Sequence, residues 1–154
     1  MKRILGAGLL AMSVVVQAHA AEVKVGDAWT RATAPGQDSA MVQMVITSKQ
    51  AAKLVGVSSK VAQTAELHSM VHEGGMMKMR QVDAIDLPAG KSLDLGEAGY
   101  HVMLVGLKNP IKEGAKVEIV LTVRQSGGKE EAVKVEAEVK PLTEAGHHGH
   151  MHHH

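Results

Sequence analysis

The chain has 154 residues, with 17 Lys and Arg against 16 Asp and Glu, and it contains no cysteine. This charge balance argues against nucleic acid or an anionic membrane surface as a partner. The lack of cysteine excludes disulfide bonds, thiol redox chemistry and lipid attachment through a cysteine. With one Trp, one Tyr and no Phe, aliphatic side chains and some of the ten methionines must fill any core.

The N-terminal residues are typical of a secretory signal peptide. Lys2 and Arg3 precede an apolar run at 4–16 that is too short to span a bilayer. Ala18 and Ala20 supply the small residues that signal peptidase requires. We therefore expect cleavage after Ala20, a periplasmic mature protein and no stable membrane insertion, with an uncleaved anchor as the alternative.

The expected organisation is a signal peptide at 1–20, one domain at 21–140 and a tail at 141–154. Apolar and polar residues alternate throughout the domain, as in half-buried β-strands. Such runs occur at 28–32, 40–47, 53–57, 61–71, 76–82 and 101–107. Near the end, 117–124 and 133–139 flank a Ser-Gly-Gly-Lys turn and predict an antiparallel hairpin. Many short strands with turns between them favour an all-β sandwich or barrel.

A second hairpin is predicted around Gly74-Gly75, a favoured two-residue turn. That turn would pair Glu73 with Met76, His72 with Met77, and Met70 with Met79. Because opposed residues of a hairpin share a face, one face would consist almost entirely of His and Met. Its members would be His68, Met70, His72, Met77 and Met79.

A second pair, His101 and Met103, lies two residues apart and so points to one side of its strand. Imidazole and thioether groups without thiolate suit Cu(I) better than zinc, calcium or magnesium. We predict that one Cu(I) is bound by His68, Met79, His101 and Met103. Candidate auxiliary ligands are Met70, His72 and Met77. Packing is the alternative role for the methionines, including Met76, and simple surface exposure is the alternative for His72.

The C-terminal tail is a low-complexity segment rich in histidine, and we expect it to be disordered without metal. It contains His147, His148, His150, Met151, His152, His153 and His154. Clustered imidazoles predict capture of Cu(II). The alternative is a purification tag, although Gly149 and Met151 interrupt the run of histidines.

Several segments resemble the periplasmic copper chaperones of the PCu(A)C type. They include Ala28-Trp29-Thr30-Arg31, Glu66-Leu67-His68-Ser69-Met70, Met77-Lys78-Met79-Arg80 and Gly99-Tyr100-His101-Val102-Met103-Leu104. The resemblance covers roughly 27–139. It implies a single-domain, cupredoxin-like Greek-key β-sandwich with Cu(I) held at the surface by the four ligands named above. It also implies delivery of copper to the binuclear copper centre of a haem-copper (cytochrome c) oxidase, directly to an oxidase subunit or through a thiol-bearing copper chaperone.

Two other functions remain open. The domain and tail could sequester copper without delivering it, which the sequence does not distinguish from delivery. A copper oxidative enzyme would need an N-terminal histidine, and only cleavage after Ala18 would expose His19. We expect no enzyme activity, because no hydrolase or phosphate-binding motif occurs and cysteine is absent.

Overall fold

The computed structural model describes residues 22–143, which form ten β-strands connected by turns and loops. The predicted signal peptide and the metal-binding residues of the predicted tail lie outside this range. The strands are β1 (Val23–Arg31), β2 (Ser39–Ser48), β3 (Ala52–Ser58), β4 (Ala62–Glu73), β5 (Met76–Gln81), β6 (Ile85–Leu87), β7 (Ser92–Asp94), β8 (Tyr100–Leu107), β9 (Lys116–Gln125) and β10 (Glu130–Lys140). The two short strands β6 and β7 were not predicted from the sequence.

The strands are hydrogen-bonded in the order β5-β4-β8-β2-β1-β10-β9-β3-β6, and β7 pairs separately with β2. The pairs are antiparallel except β1 with β10, which is parallel. The predicted all-β, cupredoxin-like Greek-key fold is confirmed. This order places β4, β8 and β2 side by side, with the β5 edge next to β4.

A single core lies inside the curled sheet, and the alternation of the strands determines which side chains enter it. On β9, Val117, Ile119, Leu121 and Val123 are buried while Glu118 is exposed. On β8, Val102 and Leu104 face the same core. His101 and Met103, which alternate with these two residues, therefore belong to the other face of β8.

Among residues 22–143, no helix is both long and apolar enough to cross a membrane.

Candidate metal centre

Two histidines from separate strands meet on the outer face of the sheet. His68 on β4 is the direct cross-strand partner of His101 on β8. Their ring centroids are 5.3 Å apart and the ring planes are inclined at 47°. The sequence separates these residues by more than thirty positions, and the antiparallel pairing of β4 with β8 brings them together.

Glu66 orients the His68 ring. The side chains lie two residues apart on one face of β4, and His68 Nε2 donates to Glu66 Oε2 across 2.8 Å. A neutral imidazole that donates from Nε2 has its lone pair on Nδ1. That Nδ1 atom is buried and makes no hydrogen bond to any described residue. A carboxylate behind a ligating histidine is a common arrangement in metal sites, where it fixes the tautomer and raises the ligand's basicity.

His101 presents a second buried nitrogen without a partner. Its residue is only 2% exposed, and Nε2 accepts or donates no hydrogen bond within the described part of the chain. Burial lowers the pKa of His101 below 6.5, and the charge of the His68 ring lowers it further. Near neutral pH the ring is therefore uncharged, as a metal ligand must be.

Of the two methionines predicted as core ligands, Met103 shares a strand with His101, whereas Met79 lies on β5, two strands away from it. Met103 follows His101 on the same face of β8, and its direct partner on β4 is Glu66. Met79 is paired with Met70 on β4, so it lies diagonal to His68. The structure thus brings His68, His101 and Met103 together on adjacent strand positions, while Met79 approaches the group from its far side.

The hairpin that carries Met79 has the predicted pairing. Glu73 opposes Met76, His72 opposes Met77 and Met70 opposes Met79, which confirms the predicted register. Gly74 and Gly75 both have positive φ, 60° and 77°, as a type I′ turn requires. The candidate auxiliary ligands Met70, His72 and Met77 therefore share the face of Met79, toward the tip of the hairpin.

Exposure tests the alternative that these methionines only fill the core. Met44 on β2 is 1% exposed and does serve as core filler. Met77 and Met79 are 52% and 51% exposed, and every residue of β5 is exposed. Packing therefore does not account for the methionines of the hairpin.

Comparisons with known proteins agree with this geometry. The family model described as putative lipoprotein LpqE-like matches residues 23–139. The chain belongs to the LpqE-like family. It is 34% identical over 114 residues to a putative lipoprotein of Leifsonia xyli subsp. xyli, covering 73% of this chain and 68% of that protein.

Among solved structures, this LpqE-like chain is similar to PCuAC domains, which supports the resemblance noted from the sequence. The Cu(I) form of DR1885 from Deinococcus radiodurans is 35% identical, with a TM-score of 0.59, covering 81% of this chain and 83% of that one. The apo PCuAC domain from PmoF1 has a TM-score of 0.62 at 23% identity, covering 79% and 95% of the respective chains. That second likeness shows the fold alone.

The LpqE-like domain offers a donor set of a particular kind. Within residues 22–143 no group of three or more His, Asp or Glu side chains is placed to hold a metal ion. What the outer face provides is two imidazole nitrogens and several thioethers, which favour Cu(I) over zinc or hard cations. The partnerless nitrogens of His68 and His101 fit such an ion. Assignment of the four predicted ligands stays a prediction.

Sequence reasoning missed two side chains of this face. Glu66 precedes His68 by two residues, so period-two alternation on β4 was a sufficient signal to find it. Met41 on β2 is the direct partner of Met103. No sequence spacing indicates this contact, because it depends on which strands become neighbours in the sheet.

Proposed function

We propose that this protein is a periplasmic copper chaperone that binds Cu(I) through His68, Met79, His101 and Met103. The main support is the adjacent His68–His101 pair, in which each ring has a buried nitrogen without a hydrogen-bond partner among the described residues. Thioethers lie on the same face, and DR1885, at 35% identity, has a Cu(I) form. Family membership among putative lipoproteins supports export.

The proposed role is delivery of copper to the binuclear centre of a haem-copper oxidase, directly or through a thiol-bearing copper chaperone. Thioether and imidazole ligands hold Cu(I) less tightly than thiolates, so transfer to a cysteine-containing acceptor is downhill. The exposed Met79 gives an incoming ligand access to the ion. The hydrogen bond to Glu66 keeps the His68 imidazole in place while ligands exchange, and burial does the same for His101.

The tail is proposed to capture Cu(II) before reduction and binding at the core site. Its imidazoles bind only when neutral, so its affinity should fall below about pH 6.5. The thioethers of the core site do not titrate. Cu(II) binding to the full chain and to a variant with Ser at each tail histidine would test this assignment.

X-ray absorption at the copper edge tests the core site. The sample is the full chain with Ser in place of the tail histidines and Met151, loaded with one equivalent of Cu(I). We expect a shell of nitrogen and sulfur that loses nitrogen in His101→Ala and sulfur in Met103→Ala. A shell of nitrogen and oxygen alone would contradict the proposal.

Transfer distinguishes delivery from sequestration, the other binding function compatible with this site. The loaded chain is mixed with a cysteine-containing acceptor domain, and copper in each protein is measured after separation. Delivery predicts that the acceptor gains the metal. Retention by the chain against both acceptor and chelator would favour sequestration.

The maturation site is also testable. Intact mass of the exported protein is expected to correspond to cleavage after Ala20. A mature chain that begins at His19 would instead support the oxidative enzyme.

A further inference from the structure

We propose that Met41 is an additional thioether ligand of the bound Cu(I), on the opposite side of the histidine pair from Met79. This inference rests on the proposed copper-binding function and adds a ligand from a third strand, β2. Met41 is 46% exposed, so the core does not account for its side chain.

Strand register places Met41 nearer to Met103 than Met79 is. Met41 and Met103 are direct antiparallel partners, which puts their Cα atoms about 5 Å apart. Met79 pairs with Met70, whose backbone N–H donates to the carbonyl oxygen of Gly99, the residue that precedes β8 and lies four positions before Met103. In a flat sheet Met79 and Met103 would therefore be separated by about 13 Å along the strands and about 10 Å across them.

Gln43 shows where the sulfur of Met41 lies. The β2–β8 pairs end at Val42 and Val102, so Gln43 is the next residue on β2 and His101 the preceding residue on β8. Gln43 Nε2 donates to Met41 Sδ across 3.7 Å. The sulfur of Met41 therefore lies toward Gln43 along β2, which is the direction in which the neighbouring β8 runs back from Met103 to His101.

The backbone of Met41 is fixed more firmly than that of Met79. Thr30, a buried residue, donates from Oγ1 to the carbonyl oxygen of Met41 across 2.8 Å. Strand β2 lies between β1 and β8 in the sheet, whereas β5 is an edge strand that pairs with β4 alone. The backbone that carries Met41 is therefore held on both sides, whereas Met79 lies on an edge strand, which is easier to open locally.

In this arrangement Met41 retains the ion and Met79 is the ligand that an acceptor displaces. His68, His101 and Met103 hold the ion, and either flanking thioether completes four ligands. When an acceptor displaces Met79 on the hairpin side, Met41 still binds from the β2 side. This arrangement keeps the ion coordinated during exchange and directs the acceptor toward the hairpin.

Methionine methyl NMR tests the proposal on the full chain, because Cu(I) is diamagnetic and each ε-methyl group reports its own sulfur. One equivalent of Cu(I) should shift the methyl signals of Met41 and Met103. Met41→Leu should lower Cu(I) affinity by about tenfold, the scale on which altered coordination surroundings change metal binding. Met41→Leu with Met79→Leu should lower it by more than the product of the two single effects, because each thioether replaces the other.

Met76→Leu is the matched control, since Met76 is 64% exposed and lies on the other face of the hairpin. It should change neither affinity nor the shifts of the other methyl groups. The inference is overturned if the Met41 methyl stays in place while Met79 and Met103 shift, and if Met41→Leu binds like the wild type. If none of these three methyl groups responds to Cu(I), the proposed copper site itself fails.

Discussion

The β4–β5 and β9–β10 hairpins both turn through a pair of glycines, but they contribute to the core differently. Both β9 and β10 supply buried side chains, whereas in the first hairpin β4 does so, through Ala62 and Leu67, and β5 does not. On β9 and the later half of β10, apolar residues alternate with exposed ones and are buried. On β5 every side chain is exposed, although three of the six residues are methionines. Backbone pairing with β4 and the contacts of Glu73 with Lys78 and Arg80 hold this strand. The β9–β10 hairpin therefore contributes mainly to stability, whereas the β4–β5 hairpin leaves the thioethers of β5 accessible at the surface.

The largest expected effect is on stability, from a core substitution in the β9–β10 hairpin. Leu121 is fully buried on β9, so Leu121→Ala should reduce the free energy of unfolding of the apo protein by about 2–5 kcal/mol through lost burial and a cavity. Met77→Ala on the other hairpin should change it by less than about 0.5 kcal/mol. Urea unfolding of both variants measures the difference. Equal losses would show that β5 is part of the packed structure after all.

The next largest expected effect is on Cu(I) affinity, and it should be confined to the proposed site on β4, β5 and β8. His101→Ala should reduce Cu(I) affinity by more than about 100-fold, because it removes a ligand and even outer-shell changes cost 10–100-fold. His72→Ala, near the hairpin tip, should have a much smaller effect. Competition with a Cu(I) chelator measures both. Comparable losses of Cu(I) affinity in the two variants would indicate that the ion is bound closer to the tip of the β4–β5 hairpin.

The carboxylate behind His68 provides a finer test. Glu66→Gln keeps the shape of the side chain but can donate to Nε2 and so favour the wrong tautomer of His68. We expect Cu(I) affinity to fall by about tenfold, with a change in the ¹⁵N shifts of the His68 ring. Glu118→Gln, at an exposed position of β9, is the control and should change neither quantity. Unchanged ring shifts and affinity would remove Glu66 from the site.

How much was predictable depended on whether a feature is local. The pairing of Met70 with Met79 follows from the Gly74-Gly75 turn, and alternation gave the β9–β10 hairpin because both signals lie within a few residues. Short strands β6 and β7, at three residues each, are too brief for alternation to reveal.

Contacts between distant strands were not predictable in the same way. His68 and His101 could be assigned to one site by their residue types, but their direct pairing depends on the β4–β8 register. Met41 was missed because its placement depends on β2 lying next to β8. Burial of His101 depends on the folded surroundings, and period-two alternation alone would have put it on an exposed face.

The smallest expected effect follows from that burial. Because the pKa of His101 is lowered in the folded state, the unfolded chain binds more protons than the folded one as pH falls below about 6.5. The apo protein should therefore lose stability over that range until the folded state is protonated as well. His101→Gln should flatten this part of the profile, measured by urea unfolding from pH 7.5 to 5.

Comparison of the two profiles cancels the contributions of the other histidines, which both proteins share. The β9–β10 hairpin contains no histidine between Lys116 and Lys140, so its variants should lower the whole curve without changing the slope near pH 6. An identical slope in wild type and His101→Gln would mean that the folded surroundings do not disfavour the charged ring. His101 would then be no better prepared for Cu(I) than an exposed histidine.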